Sequence, residues 1–183
     1  MAEKLFFNTF LVLFTSLAAG FDIREKRIPN WLILVGLIFG LLINALKGRA
    51  QLMDSVWGLF LGLGIFVIPF ALGWLGAGDV KLFGVLGAIL GVKWLPRVFF
   101  YSAILGGLLA LFSIIYQRGV RLKGGKEMWT DFKVLIMSRG SILPEGRKKG
   151  REEEVDAVPY GVALGLGALF AFYVDPQGGW AGF

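Results

Sequence analysis

Six long apolar blocks constrain this chain more than any other feature. They run over residues 5–20, 31–46, 56–75, 80–95, 98–116 and 158–174, and five of them hold no charged side chain, the fourth holding only Lys81 and Lys93. Their apolar residues are continuous rather than alternating or striped, which is the pattern of a membrane-crossing helix. Inside a bilayer an unpaired backbone N–H or C=O costs several kcal/mol, so such a block must close its own hydrogen bonds as a helix. The bulk composition agrees: 56% of residues are hydrophobic and 17% charged, against about 25% charged in soluble domains.

The sequence therefore predicts an all-α, polytopic membrane protein with about six transmembrane helices, forming a single membrane-embedded domain over 1–183. Most blocks fall short of the ~20 residues of an ideal span; tilting and snorkelling Lys or Arg side chains absorb the difference. Lys4 precedes the first block as it would in a signal peptide. The chain then continues through DIREKRIPN into a second block, so the first is read as a retained helix.

Basic residues set the orientation. With both termini outside, the connections at 22–30, 76–81 and 117–157 are cytoplasmic and hold 14 of the 19 Lys and Arg residues. This bias explains the net charge of +6 through anionic lipid head groups, with no nucleic-acid partner. The same orientation puts Asp22, after the first block, and Asp79, before the fourth, at one cytoplasmic boundary.

Cysteine and histidine are both absent. No disulfide framework, Cys-ligated zinc, His-based triad or ordinary His metal site is open to this chain. Neither a metal nor a cofactor is expected, and any catalysis rests on carboxylates, hydroxyls, lysines or the backbone. Ionisable groups at membrane depth are functional candidates. Asp79 alone would pass as an N-cap of the helix that follows it, whereas Asp22 could cap the helix that begins near Trp31 only through an intervening turn. Two carboxylates held together share one proton: the ionised one activates water, and the protonated one polarises a carbonyl. Gly76 and Gly78, just ahead of Asp79, free the backbone for positive φ and remove side-chain bulk where an extended substrate would lie. Lys81 would either support carboxylate charge or snorkel.

GAGDVKLF at 76–83, with its GxGD core, and Asp22 followed six residues later by Ile28-Pro29-Asn30 resemble the type 4 prepilin peptidases and preflagellin peptidases. These are polytopic aspartic membrane proteases, and the resemblance runs from the first block to the last. It implies that Asp22 and Asp79 are the two catalytic aspartates. It also implies cleavage after a Gly that ends the basic leader of a prepilin, pseudopilin or preflagellin. Pro159, Tyr160 and Gly161 match a Pro-Tyr/Phe-Gly element near the family's last helix; helix packing alone would explain Gly161. Larger members carry a cytoplasmic domain with paired CxxC motifs and methylate the new N-terminus with S-adenosylmethionine. With no cysteine, this chain resembles the minimal, peptidase-only forms.

In the long connection, EMWTDFKVLIM is expected to form an interfacial helix. Glu152, Glu153 and Glu154, just before the sixth block, are candidates for receiving a basic leader. Two other classes remain. A protease of the presenilin or signal-peptide-peptidase type also uses GxGD, but its Pro-Ala-Leu element is missing. A pilus-assembly scaffold or small ion- or proton-coupled transporter would use the aspartates without catalysis, although transporters place such groups nearer mid-membrane.

Overall fold

The computed structural model describes residues 2–72, 75–117 and 160–174. Among them it is helical and has no strand: α1 (Ala2–Glu25), α2 (Asn30–Lys47), α3 (Arg49–Ala71), α4 (Ala77–Leu90), a single 3₁₀ turn (Val92–Trp94), α5 (Leu95–Gln117) and α6 (Tyr160–Tyr173). The connection at 118–159, with its expected interfacial helix and with Glu152, Glu153, Glu154 and Pro159, lies outside the described residues.

The helix ends depart from the apolar blocks in ways that matter for Asp22 and Asp79. α1 does not stop with its block at Gly20. It continues through Asp22 to Glu25, and Lys26 then turns left-handed at φ 51° while its N–H donates to the Asp22 carbonyl at 3.0 Å. This is an αL-type stop. Asp22 thereby falls on the buried face of α1, one turn beyond Ala18 in the stripe that Leu11, Phe14 and Thr15 begin, at the 3–4 spacing of a helical face.

α3 starts at Arg49, directly after Gly48, and ends at Ala71, soon after Pro69, whose ring cannot supply the next N–H of a helix. α4 is 14 residues long, or roughly 21 Å at 1.5 Å per residue. The expected fourth span over 80–95 is broken at Gly91, whose φ of +89° suits glycine and few other residues.

The break is tolerated because α4 is wrapped by protein. Val80 and every residue from Leu82 to Leu90 are buried. The carbonyls left open at its end find donors in neighbouring helices: Asn44 Nδ2 donates to Ala88 O at 3.0 Å and to Ile89 O at 3.2 Å, and Ser55 Oγ donates to Ala88 O. Backbone polar groups in a bilayer need such internal partners. Close approach of α3 and α4 depends on paired glycines. A Cβ added to Gly58 would collide with the Gly87 carbonyl, and one on Gly87 with that of Gly58.

The helices fall into two groups. α2, α3 and α4 pack on one another, and α1 and α5 both pack on α6. Between the groups the main backbone contact is α4 against α6, reinforced by Phe10 stacked on Phe39 and Phe66 edge-on to Tyr160. Asp22 belongs to one group and Asp79 to the other.

Four helices, α1, α2, α3 and α5, are long and apolar enough to cross a membrane, and α6 is a shorter apolar helix of 14 residues. The outward side chains include Leu13, Leu42, Phe60, Leu61, Ile104 and Leu108. In water this would be an apolar patch far beyond what soluble monomers carry; against lipid it is the expected surface. The chain is a multi-pass membrane protein.

Candidate active site

Asp22 is only 6% exposed. Its Oδ2 accepts a hydrogen bond from the Val162 N–H at 3.3 Å, in the first turn of α6, and the Gly161 amide interacts with the same carboxylate. The first four N–H groups of a helix have no intrahelical acceptor, and the dipole there favours negative charge. A buried carboxylate thus meets donors that would otherwise be unpaired. Any side chain at 161 would intrude: a Cβ there would lie 2.8 Å from Asp22 Oδ2 and 3.0 Å from Cγ.

Asp79 is not the N-cap expected from the sequence. Gly76 occupies that position, and Asp79 is the third residue of α4, reaching back so that its Oδ2 accepts the Gly76 N–H at 3.2 Å. This is half of a capping box. The group stands ahead of the fourth apolar block, half-buried. Burial, and then the nearby Asp22 carboxylate, push its pKa up from 3.8 to about 6, against the opposing hydrogen bond from Gly76. Asp22 and Asp79, 57 residues apart in sequence, therefore lie within electrostatic reach of each other, each carried by a different helix group.

The glycines ahead of Asp79 act differently from the expectation. Gly76 has φ −77° and Gly78 is helical; among the described residues only Gly48 and Gly91 are glycines with positive φ. Their contribution is space. A Cβ on Gly76 would press on Asp79 Oδ2 at 3.3 Å, and one on Gly78 would rest on Ile28, in the turn after Asp22, at 3.5 Å. Lys81 makes its hydrogen bond to Asn30 Oδ1, at 2.9 Å, tying the start of α4 to the start of α2 through the Ile28-Pro29-Asn30 turn.

Sequence reasoning attributed Gly161 to helix packing and did not place α6 against Asp22. The Tyr160-Gly161 pair was the available signal, but a contact across 140 residues is invisible without the fold. Tyr160 belongs to the same neighbourhood: it is half-buried, within electrostatic reach of Asp79, and its ring lies over Gly106 of α5. Among the described residues no group of His, Cys, Asp or Glu could hold a metal ion. The arrangement couples two carboxylates electrostatically, with the Asp79 proton held up to about pH 6, beside an uncrowded stretch of backbone.

Comparison with known proteins bears on this pair. The profile of the Type IV leader peptidase family matches residues 9–111, more than half the chain, including both aspartates. A Bacillus subtilis (strain 168) protein named prepilin leader peptidase/N-methyltransferase is 36% identical over 114 residues, covering 58% of this chain and 45% of its own. Proteins of the same name from Escherichia coli (strain K12) and Stutzerimonas stutzeri are 33% identical over 104 residues and 30% identical over 107. Those matches cover 53% of this chain in each case, and 46% and 36% of the relatives. The matched stretch thus spans less than half of each relative. No solved structure matches this chain.

Proposed function

Because the chain belongs to the type IV leader peptidase family, we propose that it is a membrane aspartic endopeptidase removing the basic leader of prepilin-like substrates. Asp22 and Asp79 form the catalytic dyad of this reading. The observation that carries it is the electrostatic coupling of a nearly fully buried Asp22 to an Asp79 whose proton is held to about pH 6.

The chemistry needs no cofactor. With one carboxylate ionised and the other protonated, the ionised group takes a proton from water as the water oxygen bonds to the scissile carbonyl carbon. The protonated group gives its proton to the carbonyl oxygen, leaving a gem-diol. In the second step the first carboxyl returns its proton to the amide nitrogen, the C–N bond breaks, and the second carboxylate recovers a proton from a diol hydroxyl. The dyad ends as it began. Gly76 and Gly78 leave room beside Asp79 for an extended substrate backbone.

The distribution of basic residues supports a reaction at the cytoplasmic boundary, where Glu152, Glu153 and Glu154 would receive the positive leader. Anionic lipids would contact the basic connections. Methyl transfer, the second activity in the relatives' names, is not part of this reading, since the resemblance ties it to a domain with paired CxxC motifs and the sequence has no cysteine.

The test is cleavage, in liposomes, of a substrate with a basic leader, a junctional Gly and an apolar helix. Asp22→Asn and Asp79→Asn should each abolish product while expressing as folded protein. Cleavage by both variants would reduce the aspartates to structural groups. A proton flux that depends on them, without cleavage, would favour the transporter class.

A further inference from the structure

We propose that the amino-terminal turn of α6, Gly161–Val162, is a positioning element that keeps the Asp22 carboxylate ionised and aimed, making Asp22 the water-activating base and Asp79 the proton-bearing acid. This assignment rests on the dyad reading above and goes beyond it by giving the two acids different jobs. It also gives a function to a segment lying past residue 111, where the family match ends.

The two carboxylates have opposite surroundings. Asp22, 6% exposed, receives the Val162 N–H at 3.3 Å and the Gly161 amide. Both donors sit in the first turn of a 14-residue helix, whose free amides stabilise the charged form of an acceptor and so oppose the burial that disfavours it. Asp79 accepts one N–H, from Gly76, and faces the Asp22 charge. When two adjacent carboxyls hold one proton, it resides where fewer donors meet the anion. Among the described residues, the titratable groups that α4 and α6 bring to this neighbourhood are Asp79, which feels the Asp22 charge, and Tyr160, which feels that of Asp79. Arg24 and Glu25 of its own helix are exposed, so among the described residues no buried cation competes for the role given to α6.

Gly161 is required for space rather than for flexibility. A methyl group there would meet Asp22 Oδ2 at 2.8 Å and Cβ at 3.2 Å. The carboxylate is the end of a side chain and can yield, so the fold survives while the base moves. Displacement of a reacting group by about 1 Å costs on the order of 10²-fold in rate.

The experiment compares the full chain in liposomes with Gly161→Ala and Val162→Pro, using the leader–Gly–apolar helix substrate. Val162→Pro removes the N–H that Asp22 accepts, at a first-turn position where a helix loses none of its own hydrogen bonds. Gly20→Ala, two residues before Asp22 with nothing within 4 Å of the new Cβ, is the control. Both α6 variants should lower kcat by about 10- to 100-fold, with KM within about twofold of wild type by the same reasoning. The acid limb of the kcat profile should move to higher pH, because an anion deprived of donors is protonated more easily, while the alkaline limb stays in place.

If Gly161→Ala fails to fold, Val162→Pro decides alone. Wild-type kcat in the folded variants overturns the proposal. So does a kcat loss with an unmoved acid limb, which marks a structural effect, or a moved alkaline limb, which exchanges the two roles. These outcomes leave the dyad itself standing provided Asp22→Asn and Asp79→Asn are inactive. If those two still cleave, the dyad reading fails first.

Discussion

Asp79→Asn should make the protein more stable at neutral and alkaline pH while abolishing cleavage. In the folded chain Asp79 titrates at about 6, against 3.8 for an unperturbed aspartate, because burial and the Asp22 charge disfavour its anion. Between those values the folded state binds more protons at this site than the unfolded state, so stability falls as pH rises through the window. The group is fully compatible with folding below about pH 4 and carries its whole penalty above about pH 6. A difference of about 2 pKa units corresponds to about 3 kcal/mol, reduced to about 2 kcal/mol for the solvent that reaches a half-buried carboxyl.

Asparagine keeps the size and can still accept the Gly76 N–H, but it carries no charge. At 2–4 °C per kcal/mol for a chain of this size, the melting temperature at pH 8 should rise by about 4–8 °C. The assay is thermal unfolding of wild type and Asp79→Asn in one detergent, at pH 8 and at pH 4. The gain should be present at pH 8 and largely absent at pH 4. An equal shift at both pH values, or destabilisation at pH 8, would refute the reasoning, since either result means that the carboxylate carries no electrostatic penalty in the fold.

Three further outcomes follow from the same contacts. For wild type, kcat/KM should decline above about pH 6, approaching tenfold per unit, as Asp79 loses its proton in the free protein; a rate that is flat from pH 6 to 9 would exclude Asp79 as the acid. Lys81→Met and Asn30→Ala should each lower cleavage by roughly fivefold or less, the weight of one exposed hydrogen bond, and the double variant should be no worse than either single one, because Lys81 and Asn30 bond to each other. Asn44→Leu and Ser55→Ala should cost about 1–2 kcal/mol each in detergent unfolding, with a larger loss than the sum in the double variant, since both donate to Ala88 O; cleavage per folded molecule should not change.

The fold class was legible because continuous apolar blocks admit few structures. The candidate acids were legible because an aspartate between apolar blocks has few structural explanations. Helix ends were harder. Hydropathy marks where a segment can touch lipid, whereas α1 and α3 extend past their blocks on stretches that carry charged residues, DIRE at one end and RAQLMDS at the other. α4 stops short because Gly91 breaks it and because Asn44 and Ser55, from two other helices, receive its open carbonyls. A window of sequence contains none of those partners. The same holds for Gly161, whose importance to Asp22 depends on a contact between the first helix and the sixth.

The division into two helix groups gives the site its physical character. Asp79 rides on α4, which α2 and α3 hold through the Gly58–Gly87 contact and the Asn44 and Ser55 bonds. Asp22 rides on α1, held against α6. Bringing two carboxylates together across the seam costs free energy that neither group supplies alone. The donors from the α6 amino terminus offset it on one side, and a proton shared at Asp79 offsets it on the other. A chain that stabilised both anions equally, with a lysine or arginine between them, would fold more readily and lose the asymmetry on which the proposed division of roles rests. Lys81, the basic residue two positions after Asp79, bonds instead to Asn30. The positive charge nearest Asp79 in sequence thus joins α2 to α4, and burial and the Asp22 charge still hold the Asp79 pKa up at about 6.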